Sequence, residues 1–93
     1  MTTYPASQIV GVIQSAKVGV VTLSGTVLVG GNGVPRDIKI YKNNAWTFPW
    51  ELTSEADGSW TVDVEGGSND KFTIICVGET GEWSGIYDKV IEL

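Results

Sequence analysis

A chain of 93 residues with no histidine cannot build an imidazole triad, a proton shuttle or an imidazole metal site. Its one thiol, Cys76, lies inside the apolar run Phe72–Val77, with no histidine and no evident basic neighbour on its own strand. A reactive thiolate needs such a neighbour, so Cys76 reads as a small buried hydrophobe. No glycine-rich stretch precedes a helix in a way that would cradle phosphate. The carboxylates Glu55, Asp57, Asp63 and Glu65 stand near one turn and lack EF-hand spacing, so they offer at most a weak calcium site. These residues point away from an enzyme, a cofactor and a metal centre. What remains is aromatic: Trp46, Trp50, Trp83 and Tyr87 can stack on sugar rings as an exposed platform, or simply pack in the core or at its edges.

The stretch that must position the neighbouring residues is Thr53–Trp60. Asp57-Gly58 tolerates positive φ at both central positions, which predicts a tight β-hairpin there. After it Trp60, Val62 and Val64 share one face, while Thr61, Asp63 and Glu65 take the other. That period of two is the pattern of a half-buried strand. Asp57, Gly58 and Trp60 are therefore expected to be structural, with Trp60 sealing one end of the core.

Ninety-three residues make one domain large enough for a core without staples. Twelve glycines, many β-branched residues and few strong helix formers indicate an all-β chain. Eleven acidic against six basic residues leave a net charge of −5, which opposes binding to a nucleic-acid backbone. Met1–Pro5 has no basic leader, and no apolar run approaches membrane-spanning length, so no membrane association is expected and the chain reads as made in a cytosol.

In chain order, residues 1–16 differ from the rest. Their apolar run Ile9-Val10-Gly11-Val12-Ile13 reads either as an extra edge strand or as an arm that pairs with a neighbouring subunit. Residues 17–93 form the main domain. Lys17 to Gly30 is almost continuously β-prone, with a bulge or bend expected at Ser24-Gly25. Its two faces both carry apolar groups, so part of the outer one is expected to meet a partner. Gly30–Gly33 turns, Asp37–Asn43 alternates with Ile38 and Ile40 inward, and Asn43-Asn44 turns again. Pro49 interrupts the series Trp46, Phe48, Trp50 and marks an edge strand or a loop. Glu65–Asp70 is a loop, Lys71–Val77 a central strand, and Glu82–Leu93 holds the last strand or strands. The whole predicts about seven antiparallel strands in a two-sheet sandwich.

The order Ser24-Gly25-Thr26-Val27, Gly33-Val34-Pro35-Arg36, Ile38-Lys39-Ile40-Tyr41, Thr53-Ser54 to Asp57-Gly58-Ser59-Trp60 and Asp88-Lys89-Val90 resembles carboxypeptidase-regulatory-like, transthyretin-like sandwich domains. The form with Arg36 after Pro35, Tyr41 closing a strand and the Asp-basic-Val ending is similar to versions in bacteriophage virion and tail-associated proteins. The resemblance covers about residues 23 to 91; the aromatic insertion at Trp46 and the N-terminal extension depart from it. It implies a transthyretin-like or Ig-like fold and a structural subunit of the virion, made in the host cytoplasm and homo-oligomeric in the particle. Related pilin-type sandwiches carry a Lys–Asn cross-link. Lys17 and Lys39 would be the candidate amines, but the last strand has no Asn to accept one.

Three functions follow as expectations. A capsid decoration, cement or tail-accessory protein would bind other virion proteins through Ile9, Val10, Val12, Ile13, Trp46, Phe48 and Trp50. A carbohydrate-binding or adhesion module would use the aromatics on a host-surface glycan. A transthyretin-like carrier would hold a small ligand, for which no pocket pattern is readable.

Overall fold

In the computed structural model, which describes residues 4–92, eight strands form two antiparallel sheets. Met1–Thr3 of the expected N-terminal arm and Leu93 lie outside the described residues. Strand β1 (Ser7–Lys17) turns at Val18–Gly19 into β2 (Val20–Val29), with Lys17 opposite Val20. A second turn at Gly30–Gly31 leads to the short β3 (Asn32–Gly33). Next come β4 (Asp37–Lys42), β5 (Ala45–Thr53), β6 (Ser59–Glu65), β7 (Lys71–Cys76) and β8 (Gly85–Val90). In the first sheet β2 is central, with β1 on one side and both β6 and β3 on the other. The second sheet runs β5-β4-β7-β8.

Three expectations need correction. The chain does not run extended from Lys17 to Gly30 but reverses at Val18–Gly19. The irregularity expected at Ser24-Gly25 sits on the neighbouring strand. Between the pairs Val10–Thr26 and Ile13–Ser24, Gly11 and Val12 together oppose Gly25, and Gly11 takes φ +63°. That is a bulge whose extra residue needs the left-handed region glycine enters freely. Gly25 is itself glycine for a different reason: a Cβ there would lie 2.8 Å from the Trp60 ring.

The third correction concerns Asp57-Gly58. It closes no hairpin, because β5 and β6 belong to different sheets: Thr53 pairs with Asp37, and Ser59 with Thr26. The segment is a crossover from one sheet to the other. Only Gly58 has positive φ, at +88°. The Asp57 carboxylate accepts from the Ser59 N–H at 3.0 Å and from its hydroxyl at 2.6 Å, while Gly58 N–H donates to Glu55 C=O. Local turn chemistry is the same for either topology; the sheet to which each flank belongs is decided by distant residues.

The core lies between the sheets. Ile9, Val21, Leu23, Val27, Trp60 and Val64 face Ile38, Ile40, Phe72, Ile74 and Cys76, with Ile91 closing one end. Each large side chain buried this way stabilises the fold by about 1.5–3 kcal/mol. Strand β7 lies centrally between β4 and β8, and burial holds the Cys76 thiol above its usual range. Beneath the second sheet, β1 packs against β8 and β7, whereas β5 and β6 touch at few points. The first sheet thus stops short under β5.

Candidate interaction surface

The strongest departure from regular structure lies in the β4–β5 hairpin. Asn43 and Asn44 both take positive φ, at 51° and 61°, giving the two-residue turn that their sequence favours. Pairing then fails. Ile40 faces Trp50 and Lys42 faces Ala45, so the residues from Trp46 to Pro49 bulge out opposite Tyr41 alone. Proline at this position loses no ladder bond, since β5 is an edge strand. The bulge also breaks the alternation that would have put three aromatics on one face.

Each ring goes to a different place. Trp50 points inward and meets Phe72 edge-on, ring centroids 6.0 Å apart. Trp46 lies on the outer face of the sheet, tilted against Tyr41 at 5.2 Å and 58% exposed. Phe48 projects from the apex of the bulge, 96% exposed, on a backbone held at φ +52°. Such a φ costs a non-glycine residue about 1–3 kcal/mol. A strained backbone that delivers a benzyl ring to water gains nothing within this chain.

The other apolar residues considered from sequence are on the opposite flank. Ile9 belongs to the core, Val12 packs against it, Val10 is half-buried and Ile13 is exposed on the outer face of the first sheet. Because β1 lies under β8 and β5 is at the far edge, the structure does not bring the two clusters together. Residues 7–17 pair with β2 of their own chain along their length. Trp60 is 5% exposed, over Gly25, and its indole N–H has no partner among the described residues.

A second aromatic pair stands at the opposite end of the sandwich. Tyr4 and Trp83 meet edge to face at 6.2 Å, and with Thr80, Gly81 and Glu82 they line a hollow of about 310 Å³. Its floor is fixed. Trp83 exchanges backbone bonds with Pro5 and Ser7, and Glu82 takes a two-pronged contact from Arg36, at 2.9 Å from Nε and 2.6 Å from Nη2. The guanidinium holds the Glu82 carboxyl below its usual range, and the carboxylate raises Arg36 in turn. Ser54, buried beside this fork, accepts from Arg36 N–H and donates to Val34 C=O. Tyr87 faces the core and is no platform.

Sequence reading missed Tyr41 as the ledge under Trp46, and the Arg36–Glu82 fork. Tyr41 sits at an outward position of an alternating strand, a signal that was present. Nothing local to Arg36 foretells a partner in the loop before β8. No group of three or more Cys, Asp or Glu that could hold a metal comes together among the described residues. No helix among them is long and apolar enough to cross a membrane. Neither protein-family models, curated proteins nor solved structures provide a match to this chain.

Proposed function

We propose that this chain is a non-enzymatic structural protein of a bacteriophage virion, a decoration, cement or tail-accessory subunit that docks on other virion proteins through the β5 bulge. The observation that carries the docking role is Phe48, almost fully exposed at the apex of a strained backbone beside the exposed Trp46. Aromatics of this kind, once covered, are the usual anchors of protein interfaces, each contributing about 2 kcal/mol or more. Pro49 stiffens the bulge and lowers the ordering cost on binding. The virion setting rests on the resemblance carried by Gly33–Arg36, Ile38–Tyr41 and Asp88–Val90. Mass spectrometry of purified particles tests it: the chain should be present in stoichiometric copies, and particles carrying Phe48→Ser together with Trp46→Ser should lose it. Absence of the wild-type chain from particles sinks the proposal.

A second reading is favoured by Tyr4 and Trp83. An exposed indole braced by a second ring, above a hollow lined by Thr80 and Glu82, has the make-up of a sugar-stacking site. A glycan array compared between wild type and Trp83→Ala decides it. Binding that disappears in the variant supports an adhesion module, and no binding by wild type removes that reading.

A further inference from the structure

Among the described residues, the sheet edges differ in what obstructs them. Strand β1 is bulged at Gly11–Val12 and bridged at Ala6 to Trp83. Strand β5 carries Pro49 and the bulge, and β8 is flanked by β1, with the Ser7 carbonyl pressed against Gly85. Strand β6 has no bulge and no proline along Ser59–Glu65. The β2–β6 ladder is bracketed by Val27 N–H to Gly58 C=O and Gly66 N–H to Gly19 C=O. Alternation between those two bonds turns the N–H and C=O groups of Trp60, Val62 and Val64 toward β2. Those of Thr61, Asp63 and Glu65 therefore point away, and they meet no backbone partner among the described residues.

The space beside this edge is vacant for a geometric reason. Three strands of the first sheet, β1-β2-β6, underlie four of the second, and β1 takes its place beneath β8 and β7. The shortfall is left under β5. A groove of about 320 Å³ lies there, lined by Leu52, Thr53, Glu55, Ser59, Trp60 and Thr61.

We propose that β6 accepts an extended segment of a partner protein as an additional strand, one in which apolar residues alternate with lysine or arginine. Backbone bonds to Thr61, Asp63 and Glu65 supply affinity, and alternate side chains supply specificity. Inward side chains of the added strand cover Leu52 and the half-buried Val62. Outward ones stand beside Asp63 and Glu65. The charged groups on this edge and groove, Glu55, Asp63 and Glu65, are all carboxylates, and the chain carries a net charge of −5. Two copies of this chain therefore repel one another here, while a basic strand is attracted. This site is separate from the β5 bulge.

The test uses a synthetic peptide of alternating valine and lysine, with an alternating valine and glutamate peptide as control, followed by amide hydrogen exchange. The lysine peptide should protect the amides of Thr61, Asp63 and Glu65, and the glutamate peptide should not. Asp63→Lys should weaken binding by about tenfold or more. Thr61→Pro, which removes an outward N–H and leaves the β2 ladder intact, should abolish it. Unchanged protection of Val62 and Val64 in both variants certifies their fold. Phe48→Asn should bind the peptide as wild type does, which separates this site from the proposed docking bulge. No protection by the lysine peptide, equal protection by both peptides, or protection that grows with protein concentration alone overturns the proposal.

Discussion

Gly33 and Gly58 meet backbone to backbone. A Cβ on Gly58 would lie 2.9 Å from the Gly33 Cα, and one on Gly33 would overlap the Asp57 carbonyl oxygen. The crossover between sheets is thereby seated on the β2–β3 turn, where Val27 N–H reaches Gly58 C=O at 2.8 Å. Gly58→Ala combines overpacking against backbone with a left-handed φ, and should cost about 3–5 kcal/mol. Gly33→Ala has no φ penalty and should still be severely destabilising through overlap alone. Urea unfolding measures both; a wild-type midpoint for either would refute this contact.

Trp60 should show an asymmetry between two substitutions. Its indole N–H is buried without a hydrogen-bond partner among the described residues, so replacing it by phenylalanine removes an uncompensated polar group along with part of the ring. Trp60→Phe should cost about 1 kcal/mol, whereas Trp60→Ala should cost about 3–5 kcal/mol. Equal losses in denaturant titrations would mean that the indole N–H makes a bond of real value.

Under the docking role proposed for the β5 bulge, stability and binding should separate there. Phe48→Asn puts a residue tolerant of the left-handed region at φ +52°, and should raise stability by about 1 kcal/mol. Under the proposed virion role it should also weaken incorporation into particles. Trp50→Ala should do the reverse of the first effect, costing about 2–4 kcal/mol through its packing on Phe72. Thermal melts of the isolated protein distinguish these outcomes from a core role for Phe48, which would lower its melting temperature.

Acid should destabilise this protein for assignable reasons. Glu82 is held below its usual range by the Arg36 guanidinium, Asp70 by the Asn43 side chain, the Gly67 N–H and Lys42, and Asp57 by the hydroxyl and N–H of Ser59. Each folded value lies below the unfolded one. Their stabilisation is therefore complete above the ordinary carboxylate range near about 4, and is lost as pH falls through the lowered folded values. The urea midpoint should drop across that acid window and respond little to these groups between pH 6 and 8. Glu82→Gln should flatten the drop. An unchanged acid profile in that variant would remove the fork from the account.

Much of the architecture was legible where local chemistry is decisive. Asn43-Asn44 turns the chain where its residue types predict, and the expected Gly30–Gly33 turn is confined to Gly30-Gly31, with Asn32–Gly33 pairing as β3; Ile38–Ile40 and Trp60–Val64 keep the alternation read from sequence. What was not legible depends on partners far along the chain. Asp57-Gly58 looks like a hairpin until Thr53 and Ser59 are assigned to different sheets. The register of Trp46, Phe48 and Trp50 is broken by a bulge whose depth is set by the pairing of Ile40 with Trp50 and of Lys42 with Ala45. Val18 gave no turn signal, being β-branched, yet it sits at a hairpin tip beside Gly19.

The central place of β2 has a kinetic consequence. Its partnership with β1 is local and can close within about 1–10 μs, the usual time for a hairpin. Its bond to β6, seen where Thr22 donates to Asp63 at a sequence separation of 41, must wait for β3, β4 and β5 to be brought round. Early in refolding, one margin of β2 is an open template for any extended chain nearby. Folding should then take milliseconds to seconds and lose yield at high protein concentration, as for other sandwiches dominated by distant pairings. Stopped-flow tryptophan fluorescence at several concentrations would expose this; submillisecond refolding with full recovery at every concentration would show that β6 arrives first.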